Sequence, residues 1–117
     1  MNIIVCVKQV LDNETVSYDI ETGSVQNLSY VINACDKVAM EEAIKIKERS
    51  RQGQVTALTV GPPRAEEVLK RCQAMGADRV IRLWDDIFEG IDARSVSIIL
   101  ARVLSKLDYD LILCGTS

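Results

Sequence analysis

A chain of 117 residues, 48% hydrophobic but only 4% aromatic, is long enough for one domain with an aliphatic core. Its net charge of −3 comes without a basic stripe, which argues against a nucleic-acid footprint, and no apolar run nears the roughly 18 residues of a membrane span. With no histidine and no C-x-x-C pair, zinc and haem sites of the usual spacing are excluded.

Ile3, Ile4, Val5, Cys6 and Val7 form an unbroken, β-branched run that stops at Lys8 and Gln9. A continuous run suits a strand buried on both faces of a parallel sheet, so this is read as the first and central strand. Met1-Asn2 leads straight into it with no charged region or cleavage site, which predicts a cytoplasmic protein. Val16, Tyr18 and Ile20 then alternate with polar residues, Glu21-Thr22-Gly23 signals a turn, and Val25 starts a return strand. The expectation is a small hairpin at about 16–26 beside the main sheet, after which Tyr30, Val31 and Ile32 run back to the core.

Asn33-Ala34-Cys35-Asp36 precedes the first strong helix, with Asp36 as the expected cap. Ala39, Met40, Ala43, Ile44 and Ile46 fall on its inner side, and it ends near Ser50. The second core strand is Gln54 to Val60, closed by Gly61-Pro62-Pro63. A second helix follows to about Met75, with Ala65, Val68, Leu69 and Cys72 at helical spacing and Gly76 at its stop. Arg79 to Leu83 is a third strand. Asp92 is the expected cap of a third helix, striped by Val96, Ile99, Leu100, Val103, Leu104 and Leu107. Leu111 to Cys114 is a fourth strand, followed by Gly115-Thr116-Ser117.

The order β, hairpin, α, β, α, β, α, β means an α/β fold with a parallel sheet and right-handed crossovers. A strand followed by Gly-Thr-Ser resembles the start of a phosphate-cradling turn. The uncovered fourth strand is read as the mark of a fragment or truncated reading frame, or else of a surface that a partner covers, and it predicts self-association.

The four cysteines, Cys6, Cys35, Cys72 and Cys114, are read as free thiols in a reducing compartment. No G-x-S-x-G, P-loop or G-x-G-x-x-G fingerprint is present. Glu41-Glu42 and Asp85-Asp86 fit solvated charges rather than catalytic pairs. Four places where strands end or a helix begins remain: Cys6 to Lys8, Val60-Gly61, Gly115 to Ser117, and Asn33 to Asp36. They suit either a crevice for a base and a phosphate or ordinary turns and a helix cap.

The chain resembles the amino-terminal half of the electron transfer flavoprotein beta subunit. The likeness rests on V-C-V-K-Q-V (5–10), Asp12-Asn13-Glu14, I-N-A-C-D-K-V-A-M-E-E-A-I-K-I-K-E (32–48), T-V-G-P-P (59–63), A-M-G-A-D-R (74–79) and Y-D-L-I-L-C-G (109–115). It implies a Rossmann-like three-layer sandwich with sheet order 3-2-1-4, the fifth strand of the family missing. It also implies a single adenine-nucleotide-binding domain over 1–117, holding AMP or a second FAD, and no catalytic residues of its own. The implied partners are a FAD-bearing alpha subunit and a dehydrogenase such as an acyl-CoA dehydrogenase. Carried over by motif, the nucleotide contacts fall on Cys6, Asn33, Ala34, Cys35, Asp36, Val60, Gly115, Thr116 and Ser117. The chain departs from the family at Leu11, where proline is usual, at Ala34-Cys35 after Asn33, and after Gly115. Two other functions on related folds fit less well. A universal-stress-like nucleotide sensor needs more glycines before Gly115-Thr116, and an ATP pyrophosphatase needs an S-G-G-x-D-S loop where Lys8-Gln9-Val10-Leu11 stands.

Overall fold

The computed structural model describes residues 1–11, 17–18, 25–26, 30–84 and 93–114. Its core is a parallel sheet built on β1, Ile3–Cys6. Strand β6, Val55–Val60, lies on one side of β1, with Val5 level with Ala57. Strand β7, Arg79–Leu83, adds to β6, and β8, Leu111–Cys114, takes the other side of β1. The order is β7-β6-β1-β8, so the first core strand is internal and the expected 3-2-1-4 order is observed. Burial explains the composition of β1. Ile3, Ile4 and Val5 face opposite sides in turn, yet all are at most 3% exposed.

Two layers of helix account for that burial. Helices α1, Ala34–Ser50, and α2, Glu66–Met75, cover one face. There Met40, Ala43, Val68, Leu69 and Cys72 pack against Ile3, Val5, Val7, Val55 and Ala57. Helix α3, Ala93–Ser105, covers the other, where Leu100, Leu104 and Leu107 meet Ile4, Leu58, Ile81, Leu83 and Ile112. Each fully buried aliphatic side chain contributes about 1.5–3 kcal/mol of burial free energy. The result is the parallel α/β sheet that strand–helix alternation predicts, in the three layers that the resemblance implies.

The helix ends are set by specific groups. Asn33, not Asp36, caps α1: its side-chain oxygen accepts from the N–H groups of Cys35 at 2.9 Å and Asp36 at 3.3 Å. Asp36 lies one turn inside and is buried, so the expected cap is displaced by three residues. At the end of α2, Gly76 has φ +128°, where a side chain is strained, and its N–H bonds back to Cys72 and Gln73. A 3-10 turn, Pro63–Ala65, leads into α2. The expected cap at Asp92 lies outside the described residues.

Two small antiparallel ladders stand beside the sheet. Strand β3, Ser17–Tyr18, pairs with β4, Val25–Gln26, within the span expected for a hairpin; the Glu21–Gly23 turn lies outside the described residues. Strand β2, Gln9–Leu11, pairs with β5, Tyr30–Ile32, a ladder that the sequence pattern does not predict.

Candidate functional site at the carboxyl edge of the sheet

Parallel strands deliver their carboxyl ends to one edge, and there a cavity of about 540 Å³ opens. Its floor is Cys6, Val7 and Lys8 beyond β1, and Val60, Gly61 and Pro62 beyond β6. Arg64, Ala65 and Trp84 form further walls, and Val96, Ser97 and Leu100 of α3 close it. A smaller recess of about 190 Å³ lies at the opposite edge, around Asn2, Gln54, Arg79 and Asp108. The larger space sits where ligands bind in folds of this kind.

Backbone and side-chain bonds hold the floor rigid. The Val7 N–H donates to the Leu58 carbonyl at 2.8 Å, and the buried Thr59 hydroxyl donates to the Val7 carbonyl at 2.7 Å. The Gly61 N–H donates to the Leu83 carbonyl at 3.0 Å, and the Arg82 guanidinium donates to the Gly61 carbonyl at 3.2 Å. Arg64 lies over the Tyr30 ring at 4.7 Å, and the Gln9 amide donates to the Arg64 carbonyl at 2.9 Å. The β2–β5 ladder is thus tied to the cavity rim.

The start of α1 is fastened to the same rim through Lys8. The Lys8 N–H donates to the Asp36 carboxylate at 2.8 Å, and the Asn33 N–H donates to the Lys8 carbonyl at 2.9 Å. Asp36 is only 2% exposed, a burial a carboxylate tolerates when its oxygens are bonded. These bonds aim the positive end of the α1 dipole at the carboxyl edge of the sheet.

Of the residues carried over from the resemblance, Cys6 and Val60 line the cavity. Asn33, Ala34, Cys35 and Asp36 stand at the α1 terminus, joined to the cavity through Lys8 rather than lining it. Gly115, Thr116 and Ser117 lie outside the described residues. The motif reading passes over Arg64 and Trp84. Trp84 follows β7 directly, and its place at the carboxyl end of a parallel strand is a sequence signal that could have found it.

Two thiols at and near the site, Cys6 and Cys72, are not activated. Burial, and then the neighbouring Cys114, push the Cys6 thiol up to about 12. Burial, and then Asp36, push Cys72 up to about 11. A thiol held protonated at neutral pH is a poor nucleophile and a poor metal ligand. All four cysteines are unpaired, and among the described residues no group of three or more metal-ligating side chains is present.

A three-layer parallel domain with a crevice at its carboxyl edge belongs to the class of Rossmann-like α/β folds. The family model described as the electron transfer flavoprotein domain matches residues 24–117. The chain belongs to the electron transfer flavoprotein family. Over 117 residues it is 39% identical to the electron transfer flavoprotein subunit beta of Thermoanaerobacterium thermosaccharolyticum, a match covering 98% of this chain and 45% of that protein. It is 39% identical over 118 residues to the caffeyl-CoA reductase-Etf complex subunit CarD of Acetobacterium woodii, with the same coverage of 98% and 45%. Protein FixA of Sinorhizobium fredii is 38% identical over 109 residues, covering 92% of this chain and 38% of that protein. The chain therefore spans less than half the length of these relatives.

Proposed function

We propose that this chain is the nucleotide-holding part of an electron transfer flavoprotein beta subunit. It binds AMP or a second FAD at the carboxyl edge of the sheet and serves as a non-catalytic scaffold for electron transfer in the cytoplasm. Its subunit pairs with a FAD-bearing alpha subunit and passes electrons from acyl-CoA or related dehydrogenases. The observation that carries this proposal is the cavity over Cys6 and Val60 with the α1 amino terminus bonded to its rim through Lys8. An apolar floor suits a planar base, and a helix terminus aimed at the same edge suits a phosphate. Asn33 to Asp36 and Gly115 to Ser117 complete the contact set in this proposal. The presence of a caffeyl-CoA reductase-Etf complex subunit among the relatives supports a CoA-ester redox partner. No helix among the described residues is long and apolar enough to cross a membrane.

The test is to denature the purified protein and identify any released nucleotide by mass spectrometry and absorbance. Released AMP supports the structural-nucleotide form, and released FAD supports a beta subunit with its own flavin. A protein that releases nothing and takes up neither AMP nor FAD on titration overturns the proposal.

A further inference from the structure

Two thiols meet at the carboxyl ends of the neighbouring strands β1 and β8. In the parallel register of β1 and β8, Cys6 is level with Cys114, one step beyond Ile4 and Ile112 on the face that α3 covers. Cys6 is half-buried on the cavity wall, whereas Cys114 is exposed. Neighbouring strands run about 4.8 Å apart, inside the roughly 4.4–6.8 Å that separates the Cα atoms of disulfide-linked residues. The other two cysteines have no such neighbour in the sheet. Cys35 is exposed at the start of α1, and Cys72 is buried on α2.

We propose that Cys6 and Cys114 form a reversible modification site, an oxidisable thiol pair that a small disulfide converts to a strand-to-strand crosslink. The thiolate of exposed Cys114 attacks one sulfur of oxidised glutathione, and the first glutathione leaves as a thiolate that takes up a proton. Cys6 then loses its proton and attacks the Cys114 sulfur of the mixed disulfide, and the second glutathione leaves. Two protein thiols are oxidised by two electrons, one glutathione disulfide is reduced, and two glutathione thiols are formed. The burial of Cys6 makes the second step the slow one. The crosslink fastens β1 to β8 at the floor of the carboxyl-edge crevice. It stands on the strand register and does not depend on which nucleotide, if any, the crevice holds.

The experiment incubates the folded full chain with oxidised glutathione, traps remaining thiols by alkylation, and measures intact mass and linked peptides. The expected product is lighter by two hydrogen atoms before alkylation, takes up two alkyl groups fewer than the reduced protein, joins the Cys6 peptide to the Cys114 peptide, and reverts with a phosphine reductant. Cys35→Ser should form the same crosslink, whereas Cys114→Ser should not. Cys6→Ser should stop at a glutathione adduct on Cys114. A wild-type protein that also stops at an adduct on Cys114, or is modified at Cys35 alone, overturns the proposal.

Discussion

Asp36 links two elements at the cavity rim. It is buried and accepts the Lys8 N–H at 2.8 Å, so it joins the first turn of α1 to the chain leaving β1. Asp36→Ala would leave that N–H without its acceptor, at a cost of about 1–3 kcal/mol. Asp36→Asn keeps an oxygen in place and should cost less. Chemical denaturation of the two variants checks the order, and equal midpoints for wild type and Asp36→Ala would contradict it. The sequence does not separate Asn33 from Asp36 as a cap, because both residue types accept from a helix's first N–H groups. The choice is made by Lys8, 28 positions away from Asp36, whose N–H claims the carboxylate. A contact of that range leaves no local trace in the residue pattern.

The main elements were readable because each carries a strong period or a clear stop. The continuous apolar runs mark β1 and β8, the β-branched stretch closed by Gly61-Pro62-Pro63 marks β6, the spacing of Ala65, Val68, Leu69 and Cys72 marks the inner side of the 3-10 turn and α2, and Gly76 ends that helix. The β2–β5 ladder was not, because its two strands are three residues each and lie either side of the hairpin. How the elements join can be tested at Asp78, just before β7. The Lys47 ammonium on α1 reaches both Asp78 oxygens at 2.6 Å, and the Val55 N–H of β6 donates to the same carboxylate at 2.9 Å. The Lys47 bond first, and the Val55 bond second, hold the Asp78 carboxyl below its ordinary value of 3.8. A carboxyl lowered in the folded state adds stability that is complete above that ordinary value. The contribution fades as pH falls from 3.8 through the lowered folded value. Thermal melts of wild type and Asp78→Asn should therefore differ by a constant amount near neutral pH and converge below about pH 4. A gap that stays constant down to pH 2 would assign the effect of the substitution to something other than this charge.

At the scale of the molecule, strand order and site position follow from one fact, that β1 is buried on both faces and paired on both edges. An internal first strand places the reversal of strand order between β1 and β8, and the crevice opens over the carboxyl ends of β1 and β6, on the other side of β1 from that reversal. Alternation of runs and helices was enough to foresee the parallel sheet. The precise order came from the family resemblance, since strand neighbours are not encoded in hydrophobic period. Strand β8 is different in kind from β1. Among the described residues it pairs with β1 alone, and Leu111, Ile112 and Leu113 are each only half-buried. An apolar edge strand with open N–H and C=O groups is a template for a further strand. We therefore expect this chain by itself to self-associate through the β8 edge. Light scattering across a concentration series should show a mass that rises with concentration. A proline at Ile112 should reduce the association: the Leu111 N–H bonds to Asn2 ahead of β1, so the alternating Ile112 N–H points to the open edge, and Ile112 packs on the α3 side, away from the α1–α2 face. A single monomeric mass at every concentration would overturn the expectation.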